Sequence, residues 1–268
     1  FSKVSDNFIG TPIYTGSLAV TKRALTASTM SVSKVYDGST SMAGLTIDLS
    51  NLVTNDLVGA TGVGAFSQSN VGSSLGYSIS NLTLSGADKS NYYLSGGTSL
   101  SGTNGAITAR PITITADSNQ SKVYGNADPA TLGYTAEVLS AGRGLVQGDT
   151  FTGALSRATG ENVGSYAIAQ GTVANSNYAI TYVPANFAVT ARPITLSANS
   201  ATKVYGDTDP ALSVSITSGS LASIAVSDTL AQVTGTLSRS AGENVGNYGI
   251  ALGSGATAGA KASNYNVT

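Results

Sequence analysis

A lysine, a glutamate and an asparagine recur with similar spacing in two segments of the chain. A lysine amine can condense with an asparagine amide when a buried acid assists, and burial would lower the pKa of the amine and raise that of the acid. An intramolecular Lys–Asn crosslink is therefore one hypothesis for these residues. The two sets are Lys122, Glu161 and Asn177, and Lys203, Glu243 and Asn264.

An ordinary ionic role is the alternative, and we favour it. Glu161 lies in a glycine-flanked turn four residues after Arg157, so it can pair with that guanidinium or with backbone N–H groups. Lys122 shares a strand face with Tyr124 and is expected to be solvated. An earlier, more divergent copy has Ser69 in the glutamate position, so glutamate chemistry cannot be common to all copies.

Three aspartates are weak candidates for calcium ligands. Asp128, Asp207 and Asp209 lie in turns that contain glycine or proline, and Ca²⁺ favours oxygen-rich loops. The spacing matches no known calcium loop, and aspartates in turns commonly cap their own backbone. We therefore expect no metal site and no cofactor.

Hydrolytic chemistry is not expected, because histidine and cysteine are both absent. The serines lack their usual partner base, and neither a disulfide nor a thiolate zinc site can form. The glycine-rich residues 59–64 lack the Lys-Ser/Thr ending of a phosphate loop and are expected to form a hairpin turn. The sequence predicts that the chain is not an enzyme.

Several phrases of the sequence are repeated in the same order. KVYG, at residues 122–125, recurs at 203–206, and ARPIT, at 109–113, recurs at 191–195. GENVG and SNY follow in both copies, and KVYDG, NVG and SNY mark the divergent first copy. Such self-similarity indicates a tandem array of one module.

The composition fits a folded β protein. Charged residues make up 10% of the chain, against about 25% in typical domains, while apolar residues make up 41%. The net charge is −1 without a basic block, so nucleic-acid binding is not expected. The sequence contains no run of about 18 apolar residues, so membrane insertion is not expected.

Alternation of apolar and polar residues predicts short strands in every repeat. Residues 151–156, 166–169 and 178–182 alternate in this way, with Gly and Asn turns between them. The pattern favours small tandem β-sandwiches of immunoglobulin-like type in an extended array, with β-grasp-like modules as the alternative. No amphipathic helix is evident, although residues 127–131 could form a helical turn.

The repeats divide the chain into four parts. Residues 1–21 are expected to be the last strand of a preceding repeat, because LAVTKR at 18–23 matches FAVTAR at 187–192. Domains are expected at 22–109, 110–191 and 192–268, the last without its final strand. Proline after each junction arginine stiffens the joint. The orphan strand at 13–21 could fill the gap in a neighbouring molecule.

The tyrosines recur at three positions of the repeat, which predicts core or corner roles rather than sugar-stacking surfaces. An exposed aromatic cluster outside those positions would instead favour glycan contact. The recurring tyrosines are Tyr36, Tyr124 and Tyr205; Tyr77, Tyr166 and Tyr248; and Tyr92, Tyr178 and Tyr265.

The KVYG, ARPIT, GENVG and SNY series resembles the MBG-type repeats of bacterial surface proteins, and the KVYDG copy resembles the related YDG repeat. Both occur in filamentous-haemagglutinin-like exoproteins and other large adhesins. The resemblance implies a secreted or cell-surface location, an adhesion or biofilm context and no catalytic site.

These observations lead to two functional hypotheses. The first is a structural stalk or spacer, whose partners are the neighbouring repeats of the same chain. The second is a module that binds carbohydrate or mucin-type glycan, or matrix polysaccharide, through one face of each repeat.

Overall fold

The computed structural model describes residues 16–29, 32–254 and 258–268. The chain divides after Thr108 into two units. We call residues 22–109 the first repeat, 110–191 the second repeat and 192–268 the third repeat. Within the described residues no helix is long and apolar enough to cross a membrane.

The strands in chain order are β1 Arg23–Ser28, β2 Val32–Val35, β3 Ser41–Met42, β4 Asp48–Ser50, β5 Gly59–Phe66, β6 Gly72–Ser85, β7 Tyr92–Leu94, β8 Leu100–Thr108, β9 Arg110–Ala116, β10 Ser121–Val123, β11 Tyr134–Ala136, β12 Ser156–Arg157, β13 Gly164–Ala169, β14 Tyr178–Val183, β15 Ala185–Thr190, β16 Arg192–Ala198, β17 Val214–Gly219, β18 Ser238–Arg239, β19 Ile250–Ala251 and β20 Tyr265–Val267. Within the described ranges, the helical segments are α1, Leu230–Thr234, and the 3₁₀ turns Lys89–Asn91 and Ala262–Asn264. The prediction of tandem all-β modules is confirmed.

The first repeat consists of a three-stranded and a five-stranded sheet. Their strand orders are β4-β1-β7 and β2-β8-β6-β5-β3. Two of the pairs, β1 with β7 and β2 with β8, are parallel, and the others are antiparallel.

The second repeat is the most regular of the three and shows the same plan. Its two sheets have the orders β11-β9-β14 and β10-β15-β13-β12. The strands β9 and β14 pair in parallel, as do β10 and β15. Buried Ile114 from the first sheet belongs to one apolar cluster with Phe187 and Ile168 from the second. The Tyr182 hydroxyl joins the layers by donating to the Ile168 carbonyl at 3.0 Å.

The third repeat keeps only part of this plan. Its strands form the sheet β17-β16-β20 and the pair β18-β19. In the described part of residues 192–268, no strand occupies the position that β15 has in the second repeat.

Three local predictions were wrong. The helical turn expected at 127–131 is absent, and the helix is α1, capped by Thr229 and Gln232 in a reciprocal capping box. Residues 151–155 form a single isolated bridge, Thr152 with Ala174, rather than a strand. The glycine-rich residues 59–64 lie within strand β5 instead of a hairpin turn.

The predicted strand of a preceding repeat at 1–21 falls mostly outside the described residues. Residues 16–22 are described, and they belong to no strand. Leu18 and Val20 in this segment are 90% and 88% exposed.

Candidate functional site

Four charged side chains form a closed cluster in the second repeat. Lys122 Nζ lies 2.7 Å from Asp128 Oδ1 and 2.5 Å from Glu161 Oε2. Arg157 completes the cluster, since its Nε and one terminal nitrogen lie 2.8 and 2.9 Å from the two Asp128 oxygens. It also reaches Glu161 at 2.8 Å. The predicted Arg157–Glu161 pair is confirmed, whereas the expected solvation of Lys122 is wrong, because its side chain is only 4% exposed.

The third repeat contains the same cluster. Lys203 Nζ lies 2.8 Å from Asp209 and 2.6 Å from Glu243. Arg239 binds both Asp209 oxygens, at 2.8 and 3.0 Å, and Glu243 at 2.5 Å. The Lys203 side chain is 21% exposed, so this copy is more open to solvent.

The first repeat replaces the glutamate by the aspartate of its KVYDG phrase. Lys34 Nζ lies 2.7 Å from Asp37 Oδ1 and also donates to the carbonyl oxygens of Ser39 and Ser41, at 2.6 and 3.0 Å. The ammonium group is thus satisfied without a counterpart of Glu161, which explains how Ser69 can stand in that position.

The electrostatics of the clusters do not favour the crosslink. Burial lowers the pKa of Lys122, but the hydrogen bonds to Asp128 and Glu161 outweigh it and raise the pKa above its usual value. The pKa of Lys203 is likewise raised by its hydrogen bonds to Asp209 and Glu243. An ammonium held in its charged form is a poor nucleophile, so these directions are opposite to those that the crosslink hypothesis requires.

The asparagines of the proposed crosslink have other roles. Asn264 Oδ1 accepts the Val163 N–H at 2.9 Å, and its Nδ2 donates to Asn162 Oδ1 at 3.0 Å. The Asn177 carbonyl accepts the Arg110 N–H at 2.9 Å, and its own N–H donates to Asn175 Oδ1. Asn264 therefore holds the second and third repeats together.

The three aspartates that were calcium candidates make other contacts. Asp128 and Asp209 each face one lysine and one arginine, so their oxygens are already occupied by cations. The Asp207 carbonyl accepts from Lys203. Across the described ranges, no three acidic side chains gather as a metal site would require.

The SNY tyrosine forms a corner in every repeat. Tyr92, Tyr178 and Tyr265 are buried, and each hydroxyl accepts a backbone N–H and donates to an aspartate. The partners are Val53 and Asp56, Val146 and Asp149, and Ala222 and Asp228, respectively. The predicted corner role is confirmed at this position.

The KVY tyrosine behaves differently from copy to copy. Tyr36 and Tyr124 are buried as predicted, but Tyr205 is 70% exposed, so the core role is wrong for the third repeat. In the second repeat, the ring of Tyr124 packs edge-on against Tyr265 of the third repeat, with centroids 5.5 Å apart. Burial, with Asp228 nearby, raises the pKa of Tyr124 to about 12. No hydrogen bond of good geometry reaches its hydroxyl.

The second and third repeats therefore meet in a close apolar interface. Tyr124, Ala222 and Tyr265 belong to one continuous cluster that spans both repeats. Gly125 has a φ of +79°, and a Cβ on it would come within 2.2 Å of the Ala222 Cβ. Its carbonyl accepts the Ala225 N–H at 3.1 Å.

Arg192, the arginine of the ARP junction, fastens this interface. Its Nη1 donates to the Tyr124 carbonyl and to Asn126 Oδ1, at 3.2 and 2.9 Å. Its Nε and Nη2 donate to Ser220 in the third repeat, at 2.7 and 2.8 Å. Sequence reasoning assigned the junction's stiffness to proline and overlooked this arginine, although its recurrence in ARPIT was a usable signal.

Tandem β-modules with recurring ion-pair clusters and tyrosine corners define a repeat array. Family comparisons agree, since the MBG domain (YGX type) matches residues 112–188 and 194–268, and the YDG domain matches residues 21–100. The MBG matches cover more than half of the chain, so the chain belongs to the MBG domain (YGX type) family, whose members are repeat domains of adhesin-like proteins. No curated protein and no solved structure matches the chain.

Proposed function

We propose that this chain is a non-catalytic spacer segment of a large bacterial adhesin, at the cell surface or secreted, where it supports cell adhesion or biofilm formation. The family supports this proposal, because MBG and YDG domains fit an adhesin-like repeat region and are typical of extracellular or surface proteins. The observation that carries it is the interface of the second and third repeats, where one repeat buries Tyr124 of the other.

A spacer must hold its ends at a defined separation. Only Ala191 lies between strands β15 and β16, and the interface beside it adds apolar burial and several hydrogen bonds. A flexible Gly/Ser linker would let the repeats move independently, whereas this junction couples them.

Distance measurements on the second and third repeats test the proposal. The chain contains no cysteine, so Ser165→Cys and Ser215→Cys together provide two spin-label sites, one on each repeat. We expect a narrow distance distribution that broadens when Tyr124→Ala is added. A broad distribution in the parent double-cysteine chain would contradict a spacer role.

The glycan-binding alternative has one observation in its favour. Tyr93 in the first repeat is 49% exposed and stands outside the recurring tyrosine positions. Aromatic faces of this kind can stack on sugars, so a glycan array probed with the chain and with Tyr93→Ala tests it. Binding that depends on Tyr93 would favour this function over the spacer.

A further inference from the structure

The first and the last strands of the second repeat are paired with each other. Residues 110–123, the entry segment, contain β9 and β10, and residues 178–190, the exit segment, contain β14 and β15. In one sheet β9 pairs in parallel with β14 at six consecutive positions. In the other sheet β10 pairs in parallel with β15 at three positions. The two ends of the repeat are therefore bonded directly to each other in both sheets.

The two segments keep one direction from the first sheet to the second. Only Pro184 separates β14 from β15, whereas a reversal of the chain needs about two loop residues or more. The exit segment therefore continues in the same direction, and the entry segment does so too, because both pairings are parallel. Arg110 thus lies at one end of the paired region and Thr190 at the opposite end.

Hydrogen bonds also join the segments at both margins of the paired region. Where the pairing begins, the Arg110 N–H donates to the Asn177 carbonyl at 2.9 Å. Where it ends, the Tyr124 N–H donates to the Thr190 carbonyl at 2.8 Å. The Thr190 hydroxyl adds a bond to the Lys122 carbonyl at 3.2 Å. The pairing is therefore held at its two margins as well as along the strands.

Apolar side chains shield this pairing from water. Ile112 and Ile114 on β9, and Phe187 and Val189 on β15, are almost completely buried. Ile114, Phe187 and Val189 belong to one apolar cluster that both sheets share. Water can replace a main-chain hydrogen bond only where it can reach the bond. The two segments can therefore separate only when this side of the core opens.

The first repeat has the same arrangement. Its first strands pair in parallel with its last strands, β1 with β7 in one sheet and β2 with β8 in the other. The Ser95 N–H donates to the Leu25 carbonyl, and the Tyr36 N–H donates to the Thr108 carbonyl, both at 2.9 Å. Parallel pairing of the first and last strands is thus common to the two repeats, although the sequences of these strands differ.

We propose that the second repeat bears mechanical load and that its entry and exit segments form a clamp against a pull along the chain. Such a pull acts on Arg110 and Thr190 in opposite directions. Because these residues lie at opposite ends of a parallel pair, the pull slides the two segments past each other and loads their hydrogen bonds together. A pull across the segments would instead break the bonds one after another, which takes less force.

This inference rests on the proposed spacer function, because a spacer between two attached ends is pulled along its chain. It adds that the resistance of the repeat depends on the direction of the pull. The two proposals can fail separately. A narrow spin-label distance distribution together with a low rupture force would retain the spacer and remove the clamp.

Single-molecule force spectroscopy on the whole chain tests the clamp by changing only the points of attachment. The chain contains no cysteine, so Ala109→Cys with Ala191→Cys places the two attachment points immediately outside the entry and exit segments. The load then acts along both segments in opposite directions. We expect the second repeat to unfold in one step at a high rupture force.

Ala109→Cys with Ser176→Cys is the matched control. Both attachment points then lie at the same end of the parallel pair, so the load peels β9 from β14 one position at a time. At the same loading rate, we expect the rupture force to be several times lower than with attachment at 109 and 191. Equal rupture forces in the two geometries would overturn the proposal.

Two core substitutions separate mechanical resistance from equilibrium stability. Ile114, on β9, is paired with Tyr182 of the exit segment, whereas Ile168, on β13, lies in neither segment. Both isoleucines are fully buried in the same apolar cluster, so Ile114→Ala and Ile168→Ala should lose similar stability in urea.

Forced unfolding depends on the unfolding rate rather than on equilibrium stability. With attachment at 109 and 191, we therefore expect the rupture force to fall more in Ile114→Ala than in Ile168→Ala. An equal or larger fall in Ile168→Ala would contradict the assignment of the clamp to the two segments. The comparison of attachment points decides the proposal if either variant does not fold.

Discussion

The second and third repeats carry the same motifs, yet they differ in how they are closed. Both assemble the four-residue ion-pair cluster with the same partners. In the second repeat β15 covers the cluster, whereas in the third repeat the matching position is an open cavity. The four charged residues therefore pair in the same way with or without β15. Their burial, however, depends on β15, which contributes no charged side chain.

A single aromatic ring accounts for much of this difference. The Arg157 guanidinium lies 5.3 Å from the ring centres of both Tyr166 and Phe187. Arg239 lies 5.0 Å from the ring of Tyr248, the counterpart of Tyr166. Phe187 thus shields one face of an ion-pair cluster that is more exposed in the third repeat.

The largest expected effect comes from removing that ring. Phe187→Ala should destabilise the second repeat by about 3–5 kcal/mol, because it deletes a fully buried aromatic side chain and leaves a cavity. Urea unfolding measures the change. Leu18→Ala, at a position that is 90% exposed, is the control and should change the free energy of unfolding by less than about 0.5 kcal/mol. Equal effects would contradict the assignment of Phe187 to the core.

Alanine substitutions at the two KVYG glycines distinguish the cost of crowding the interface from the cost of backbone strain. Gly206 has a φ of +90° with nothing within 4 Å of an added Cβ, so Gly206→Ala should cost only the backbone strain, of about 1 kcal/mol. Gly125→Ala meets Ala222 as well and should cost a further 1–3 kcal/mol, roughly the usual penalty for overpacking. Thermal unfolding of the two variants gives the comparison. An equal loss of stability in the two variants would contradict the close contact between Gly125 and Ala222.

The cluster glutamates should report the difference in burial. Glu161→Gln removes the negative charge that faces the buried Lys122 ammonium and should cost about 1–3 kcal/mol. Glu243→Gln acts on a more exposed pair and should cost less than Glu161→Gln does, because solvent screens the interaction. Chemical denaturation of both variants tests the order, and a larger loss for Glu243→Gln would reverse our reading of the two clusters.

The smallest effect is a pH dependence from the third repeat. Hydrogen bonds from Arg239 and Lys203 lower the pKa of Asp209 from 3.8 to about 2. Because the folded-state pKa is depressed, this contribution to stability is present above pH 3.8 and is lost as the pH falls toward 2. Denaturation midpoints across this range should depend less on pH in Asp209→Asn. Asp207→Asn is the matched control, and a similar flattening there would count against the assignment.

Sequence reasoning predicted the regular parts well. The alternation over residues 178–182 corresponds to β14, and the SNY tyrosines form corners in every copy. The same reasoning failed at residues 151–155, where alternation did not produce a strand, because alternation alone does not supply a partner strand. It also missed α1, although Thr229 and Gln232 spell a capping-box signature.

The candidate site was predicted only in part. The recurrence of Lys122 and Glu161 correctly marked a pair, but Asp128 was assigned to a turn or to calcium rather than to the same cluster. The aspartates of the tyrosine corners were not identified, because their distance from the tyrosine in the chain varies between repeats. Contacts between residues far apart in sequence depend on the fold, which brings them together in ways that spacing does not encode.

The sequence by itself determined the phase of the repeats, the recurrence of the lysine, arginine and glutamate of the ion-pair clusters, and the recurrence of the SNY tyrosines that form corners. Only the tertiary structure decided that Tyr124 is buried while Tyr205, in the same phrase, is exposed. The physical reason is that burial depends on what packs against a side chain. Tyr124 is covered by Ala222 and Tyr265 of the next repeat, whereas Tyr205 borders an open cavity.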